Sequence, residues 1–175
     1  MSTKRTSSGP AGGKGGTPAV VALEAAGIAH TVHRYEHDKT STDFGAEAVG
    51  KMAELAAAQP GQIFKTLVVR LDSGRLAVAV VPVPVQLSLK AAAKALGASK
   101  AVMADAAAVT RSSGYVLGGV SPVGQKTALP TVVDASALEW DTICVSAGKR
   151  GLEIEVAPGD LVAVTGAIVA DIAAD

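Results

Sequence analysis

IFKTLVVRLDSGRLAVAVVPV, residues 63–83, reads as a β-hairpin and sets the fold class. Two runs rich in Val, Ile and Leu, Ile63 to Leu71 and Leu76 to Val83, flank Asp72, Ser73, Gly74 and Arg75, and a glycine at a turn position between such runs is a hairpin signal. Lys65 interrupts the first run. Two readings of it are open. Its ammonium reaches solvent from the strand's start, or it is held in place to fix a phosphate or a developing oxyanion.

Toward the N-terminus, Asp43 can cap a helix from about Phe44 to Ala58, which the QPG turn at 59–61 stops. Before it, Ile28 to Glu36 alternates as a strand does, with His33, Tyr35 and His37 on one side and His30, Val32 and Arg34 on the other. Thr17 followed by Pro18 is a cap and a first helical proline, opening a short helix that ends at Gly27. Toward the C-terminus, Ser88 caps LKAAAKAL with Gly97 as its stop, Lys100 to Met103 is a brief strand, and Asp105 caps a helical segment reaching about Thr110. After a glycine-rich stretch come Thr131 to Val133, a turn over Asp134 to Trp140, Thr142 to Ser146, and the turn AGKRG. Leu152, Ile154 and Val156 then alternate with Glu153 and Glu155, the pattern of a half-exposed strand. Pro158 to Val164 predicts a last short helix and Ala167 to Ile172 a last strand. Neighbouring strands broken by short helices, without regular βα alternation, predict a mixed α+β fold: a partly closed β-barrel surrounded by short helices.

The chain has 175 residues, 49% of them apolar, which suits one domain with a core built from Ala, Val, Leu and Ile. Sixteen basic and sixteen acidic residues cancel, so any nucleic-acid partner has to be held by local groups. A single cysteine, Cys144, excludes an intramolecular disulfide and fits a reducing, cytoplasmic setting. No apolar run approaches the roughly twenty residues of a membrane span. Residues 1–17 lack the apolar segment of a secretory signal and are expected to be a flexible tail, leaving 18–175 as the domain.

RSSGYVLGGVSPVGQKTAL, residues 111–129, is the candidate ligand loop. Gly118, Gly119 and Gly124 let backbone approach a partner or take positive φ, Pro122 stiffens the turn, and the flanking Arg111 and Lys126 favour a carboxyl ester or a phosphate. A plain connection between strands accounts for it equally well. The segment GGVSPVGQKT misses the phosphate-loop spacing by one residue and is followed by Pro130 and β-branched residues where a phosphate loop opens a helix. His30, His33 and His37 are expected to be surface histidines, since His33 and His37 stand about 13 Å apart on a strand, too far to share a metal ion. Cys144, in an apolar TICV run with no histidine near it in sequence, is expected to pack and not to react.

Taken together, RYEHD at 34–38, FKTLVV at 64–69, LAVAVVPV at 76–83, KAAAKALGA at 90–98, RSSGYVLGGVSPVGQK at 111–126, LPTVVD at 129–134 and VSAGKRGLEIE at 145–155 resemble the YbaK family of trans-acting aminoacyl-tRNA editing proteins, over about residues 18–174. The GGxSPxGQK loop with SxGKRGL resembles the branch of Cys-tRNA(Pro) deacylases. By that resemblance Lys65 matches the essential lysine and Gly118 with Pro122 the G-x-x-x-P loop, while Tyr35, Phe44, Gly119, Ser146 and Glu153 fall around the substrate pocket. Glu153 departs from the pattern, where an aspartate commonly stands.

The resemblance implies a mixed barrel, no metal or other cofactor, Cys-charged tRNA(Pro) as substrate with Cys-tRNA(Cys) as a second one, and prolyl-tRNA synthetase as a partner that supplies selectivity. It also implies attack by the substrate's own thiol, which suits a chain without a convincing catalytic triad. Two alternatives stand beside it: a sibling deacylase for Ala- or Ser-charged tRNA, and a non-catalytic module that binds the tRNA acceptor end or a nucleotide.

Overall fold

The hairpin forms as its turn chemistry dictates: β2 (Phe64–Leu71) pairs antiparallel with β3 (Leu76–Pro82), Phe64 opposite Pro82 through to Arg70 opposite Leu76. Gly74 supplies the turn's positive φ of 94°. The coordinates are those of a computed structural model in which residues 16–174 are described. Parallel addition of β6 (Thr131–Asp134) to β3 and of β9 (Ile168–Ala170) to β6 extends the sheet on one side. On the other side β5 (Ala101–Met103) pairs only with the end of β2, from Val69 to Leu71.

A second, antiparallel sheet has the order β1 (His30–Arg34), β8 (Leu152–Val156), β7 (Ile143–Lys149). A parallel bridge between Ile63 and Cys144 joins it to the start of β2, where β5 does not reach. The fold is therefore mixed α+β, its two main sheets joined by that bridge without completing a barrel. The gap beside the first half of β2 is what leaves room for a site.

Among the described residues five α-helices lie around the sheets, and four are fixed by caps legible in the sequence. Thr17 Oγ1 accepts from Val20 N at the start of α1 (Pro18–Ala25), Asp43 from Ala46 N in α2 (Phe44–Ala56), Ser88 from Ala91 N in α3 (Leu89–Ala95), and Asp105 from Ala108 N in α4 (Ala106–Ser113). The fifth, α5 (Pro158–Thr165), starts on proline and ends at Gly166 with φ 67°. The core cluster behind β1, β7 and β8 is mostly aliphatic, with Val145, Ile154 and Val156 beside Leu23, Val80 and Leu161 and with Phe64 and Tyr115 as its buried aromatic rings.

The structure revises several expectations. Residues 1–15 of the expected tail lie outside the described residues, but Thr17 belongs to the fold: its hydroxyl donates to Ala147 O at 2.5 Å while capping α1. α4 runs to Ser113, one turn past Thr110, because Gly114 at φ 81° is the residue able to take the left-handed cap. Two strands of two residues, β4 (Gln86–Leu87) and β10 (Ala173–Ala174), pair with each other and are too short to leave a pattern.

β8 is not half-exposed. Its apolar face meets the main core, and its other face, shared with Cys144 and Tyr35, lies under Ala48 and Met52 of α2, so Glu153 is buried with 6% of its surface exposed. Surface histidines are likewise not found on β1. His30 is buried, with Nδ1 on Ile28 O at 2.8 Å and Nε2 without a partner among the described residues. His33 pairs with Glu155 at 2.9 Å, and His37 with Glu47 at 2.7 Å.

Candidate active site

A cleft of about 850 Å³ opens where β5 leaves β2. Its walls are the N-terminus of α2 (Asp43, Phe44, Gly45), the first half of β2 (Phe64 to Val68), the β3–β4 connection from Val83, the glycine loop at Leu117, Gly118 and Val120, and Ser146 with Glu153 from the second sheet. The open edge of β2 explains the placement: β5 pairs only from Val69 onward, so the edge beside Lys65, which faces Val81 of β3 on its other side, stays uncovered.

Lys65 is half-buried, and its Nζ donates to Val83 O at 3.2 Å. Burial lowers its pKa from the usual lysine range, and the Asp43 carboxylate opposes that shift. An ammonium bonded to one carbonyl has donors left for an oxyanion or a phosphate. The neighbouring Thr66 hydroxyl, also in the lining, is buried without a hydrogen-bond partner among the described residues. Its sequence setting, a threonine in a β-strand, gives no sign of this, because the open edge that strands it is a tertiary feature.

At the opposite wall Gly118 sits at φ 86°, and a Cβ there would meet Arg150 Nε and Phe44 Cδ2, each at 2.7 Å. Arg150 explains the crowding. It donates from Nε and a terminal nitrogen to Leu117 O at 3.0 and 2.7 Å, and its guanidinium lies 4.5 Å from the Phe44 ring centroid. One side chain thus ties the β7–β8 turn, the glycine loop and the start of α2 around the mouth of the cleft. In the sequence nothing separates Arg150 from Lys149 beside it.

The site expectations divide accordingly. Lys65, Gly118, Phe44, Ser146 and Glu153 converge on the cleft, whereas Tyr35, Gly119 and Pro122 are not in its lining. Tyr35 packs with Ile63 and Cys144 in the group under α2, where burial, then the charges of Glu153 and Glu47, push its phenol pKa upward. Gly119 is no bare donor: its N–H is taken by Val116 O at 2.9 Å, and a Cβ would lie 3.0 Å from the Lys149 and Arg150 backbone. Gly124 serves packing too, since a Cβ would stand 2.5 Å from Pro18 O. Pro122 is buried inside the loop, which Tyr115 pins by donating from its hydroxyl to Val123 O at 2.7 Å. Arg111 and Lys126 are exposed and absent from the lining, so among the described residues the cations at the cleft are Lys65 and, at its rim, Arg150.

No described residue in or beside the lining is set up as a nucleophile. Cys144 is fully buried among Ala48, Met52 and Ile63, and burial, with the charges of Glu155 and Glu153, pushes its thiol up to about 12. Ser146 Oγ accepts from Gly148 N at 3.0 Å and has no histidine beside it in the lining. Glu153 is pushed by burial from 4.5 up to about 8, so it carries its proton at neutral pH. Among the described residues no group of three or more His, Cys, Asp or Glu converges in the manner of a metal site.

A model of the aminoacyl-tRNA editing domain matches residues 45–164, which hold α2 after Phe44, the hairpin, Lys65, the glycine loop and Glu153. The chain belongs to the aminoacyl-tRNA editing domain family. An editing domain clears amino acids from tRNA esters, so the enzyme class is aminoacyl-tRNA hydrolase. A relative from Enterococcus faecalis, named as a candidate Cys-tRNA(Pro)/Cys-tRNA(Cys) deacylase, is 38% identical over 138 residues, 79% of this chain and 82% of the relative. Among solved structures, a candidate trans-editing enzyme for prolyl-tRNA synthetase aligns with a TM-score of 0.76 at 29% identity, covering 90% of this chain and 96% of the other. The hypothetical protein APE2540 aligns at 0.78 and 27% identity, covering 90% and 100%. Among the described residues no helix of this editing domain is long and apolar enough to cross a membrane.

Proposed function

We propose that the protein is a trans-acting editing hydrolase that clears Cys-tRNA(Pro), and Cys-tRNA(Cys) as a second substrate, with the cysteine thiol of the substrate as nucleophile. The observation that carries this reading is a cleft that joins a half-buried lysine and an open glycine loop yet holds no activated nucleophile of its own. The names of the Enterococcus faecalis relative and of the prolyl-tRNA synthetase trans-editing structure point to the same substrate class.

In this reading the ester is already activated and the protein supplies position and charge. The substrate thiolate attacks its own ester carbonyl carbon, the carbon–oxygen bond to the tRNA 3′ oxygen breaks, and that oxygen takes up the proton the thiol lost. The products are free tRNA and a cysteine thiolactone, which water opens. Among the described residues the Gly118 N–H makes no hydrogen bond, which leaves it open to the carbonyl oxygen; Lys65 grips the terminal nucleotide or the developing oxyanion. Tyr35, Gly119 and Pro122 act from behind the lining, holding the pocket wall and the loop in shape. Association with prolyl-tRNA synthetase, in the cytoplasm, supplies tRNA selectivity that a chain of zero net charge does not provide through its overall field.

Deacylation of tRNA(Pro) charged with Cys, Ala, Ser or Pro tests the reading. Cys-tRNA(Pro) is expected to be cleared far faster than Ser-tRNA(Pro), beyond the one to three kcal/mol, roughly, that pocket fit allows for near-isosteres. The rate should rise from about pH 6 to 8 as a thiol of pKa near 8.5 ionises. Comparable turnover of Ser-tRNA(Pro), or of a substrate with an alkylated thiol, would end the thiol mechanism; preference for Ala or Ser would assign the sibling activity.

A further inference from the structure

Glu153 lies where a carboxylate is costly, and no described group answers it. It is 6% exposed, lines the cleft, and forms no hydrogen bond among the described residues. Its neighbours are engaged elsewhere. His33 and Ser146 stand opposite it across the two ladders, but His33 Nε2 is taken by Glu155 at 2.9 Å, and Ser146 Oγ, which accepts from Gly148 N at 3.0 Å, makes no bond to it. Cys144 and Glu155 share its face of the sheet, Tyr35 packs below α2, and on α2 Glu47 is held by His37. Lys65, the cation of the lining, lies within the influence of Asp43 and donates to Val83 O. A buried acid without a partner destabilises a fold, and in a cleft it marks a place kept for a ligand.

We propose that Glu153 is the receptor for the free α-ammonium group of the aminoacyl ester and restricts this site to tRNA esters whose amino group is unblocked. The assignment rests on the reading that an aminoacyl ester occupies the cleft. An α-ammonium is a compact cation with three donors, the complement of a carboxylate that has no donor of its own. On docking, the acid gives its proton to bulk water and an ion pair replaces a desolvated neutral group. An N-acylated ester, including the peptide ester of a tRNA in elongation, brings no charge and leaves the acid protonated. The site would therefore spare peptidyl-tRNA while accepting a mischarged tRNA.

The test uses the full chain and the amide-linked analogue 3′-cysteinylamino-3′-deoxyadenosine, which cannot be hydrolysed as an ester, against its N-acetyl form, by titration calorimetry under reducing conditions. Wild type should bind the free amine at least about tenfold more tightly, as one charge-assisted contact allows, with a heat that depends on the buffer's ionisation enthalpy because a proton is released. In Glu153→Gln the preference should shrink to under about threefold and the buffer dependence should vanish, while Glu153→Asp should keep part of both. Equal affinities for the two analogues in wild type, a comparison that needs no variant, would overturn the assignment, as would an undiminished preference in folded Glu153→Gln. Deacylation of Cys-tRNA(Pro) is measured alongside: amine discrimination without turnover would refute the hydrolase reading and leave Glu153 standing, and turnover without discrimination would do the reverse.

Discussion

Between pH 5 and 8 the stability of the wild-type protein should fall by about 3 to 4 kcal/mol relative to Glu153→Gln. The carboxyl is held at about 8 in the fold against 4.5 for an ordinary glutamate, with burial as the cause. The folded state thus keeps a proton that the unfolded chain releases, and stability declines with pH wherever the native state binds more protons. Below the unfolded pKa both states are protonated and Glu153 costs no ionisation energy. As pH rises the cost grows, and above the folded pKa it levels off near 5 kcal/mol, roughly, from 3.5 units at 1.36 kcal/mol each. Glutamine has nearly the same shape and does not titrate, so subtracting the two profiles removes every other group. Urea unfolding followed by circular dichroism at pH 5, 6, 7 and 8 measures the difference. In thermal scans the same gap amounts to roughly ten degrees in Tm at pH 8. A difference that stays constant from pH 5 to 8 would show that Glu153 ionises normally, and the account of its burial beneath α2 would be wrong.

Lys65→Ala should fold and lose at least about a hundredfold in kcat/KM toward Cys-tRNA(Pro), the scale of one oriented charge contact; near wild-type turnover would remove Lys65 from the mechanism. Cys144→Ser should keep most activity while losing about 1 to 3 kcal/mol, because a hydroxyl replaces a thiol among Ala48, Met52 and Ile63; an inactive variant with native circular dichroism would reinstate a protein nucleophile. Gly118→Ala should raise KM at least about tenfold, since the added methyl meets Arg150 and Phe44 at 2.7 Å and strains φ 86°; unchanged steady-state constants would show that the loop is not clamped at the cleft.

The sequence by itself determined the elements whose causes are local. The Gly74 hairpin and the caps at Thr17, Asp43, Ser88 and Asp105 each stand within a few residues of what they govern, and all were legible. The family was also legible, because its motifs are runs of residues, as was the unusual position of Lys65 in an apolar strand. Only the tertiary structure decided what each of these residues meets. Glu153 and Glu155 alternate identically in sequence, yet α2 covers one and leaves the other half-exposed with Thr142 and His33 as partners. Gly118 and Gly119 are adjacent glycines, yet one faces the cleft with its N–H unclaimed by any described group and the other is consumed by a turn and by the backbone of the β7–β8 loop. Arg150, one of two basic residues in a turn, holds Phe44 and Leu117 at the mouth of the site from the far end of the chain. Periodicity reports which side of an element a residue occupies. What covers that side is set by elements distant in sequence, and here α2, laid across the second sheet, turned a surface-like glutamate into the buried acid of the cleft.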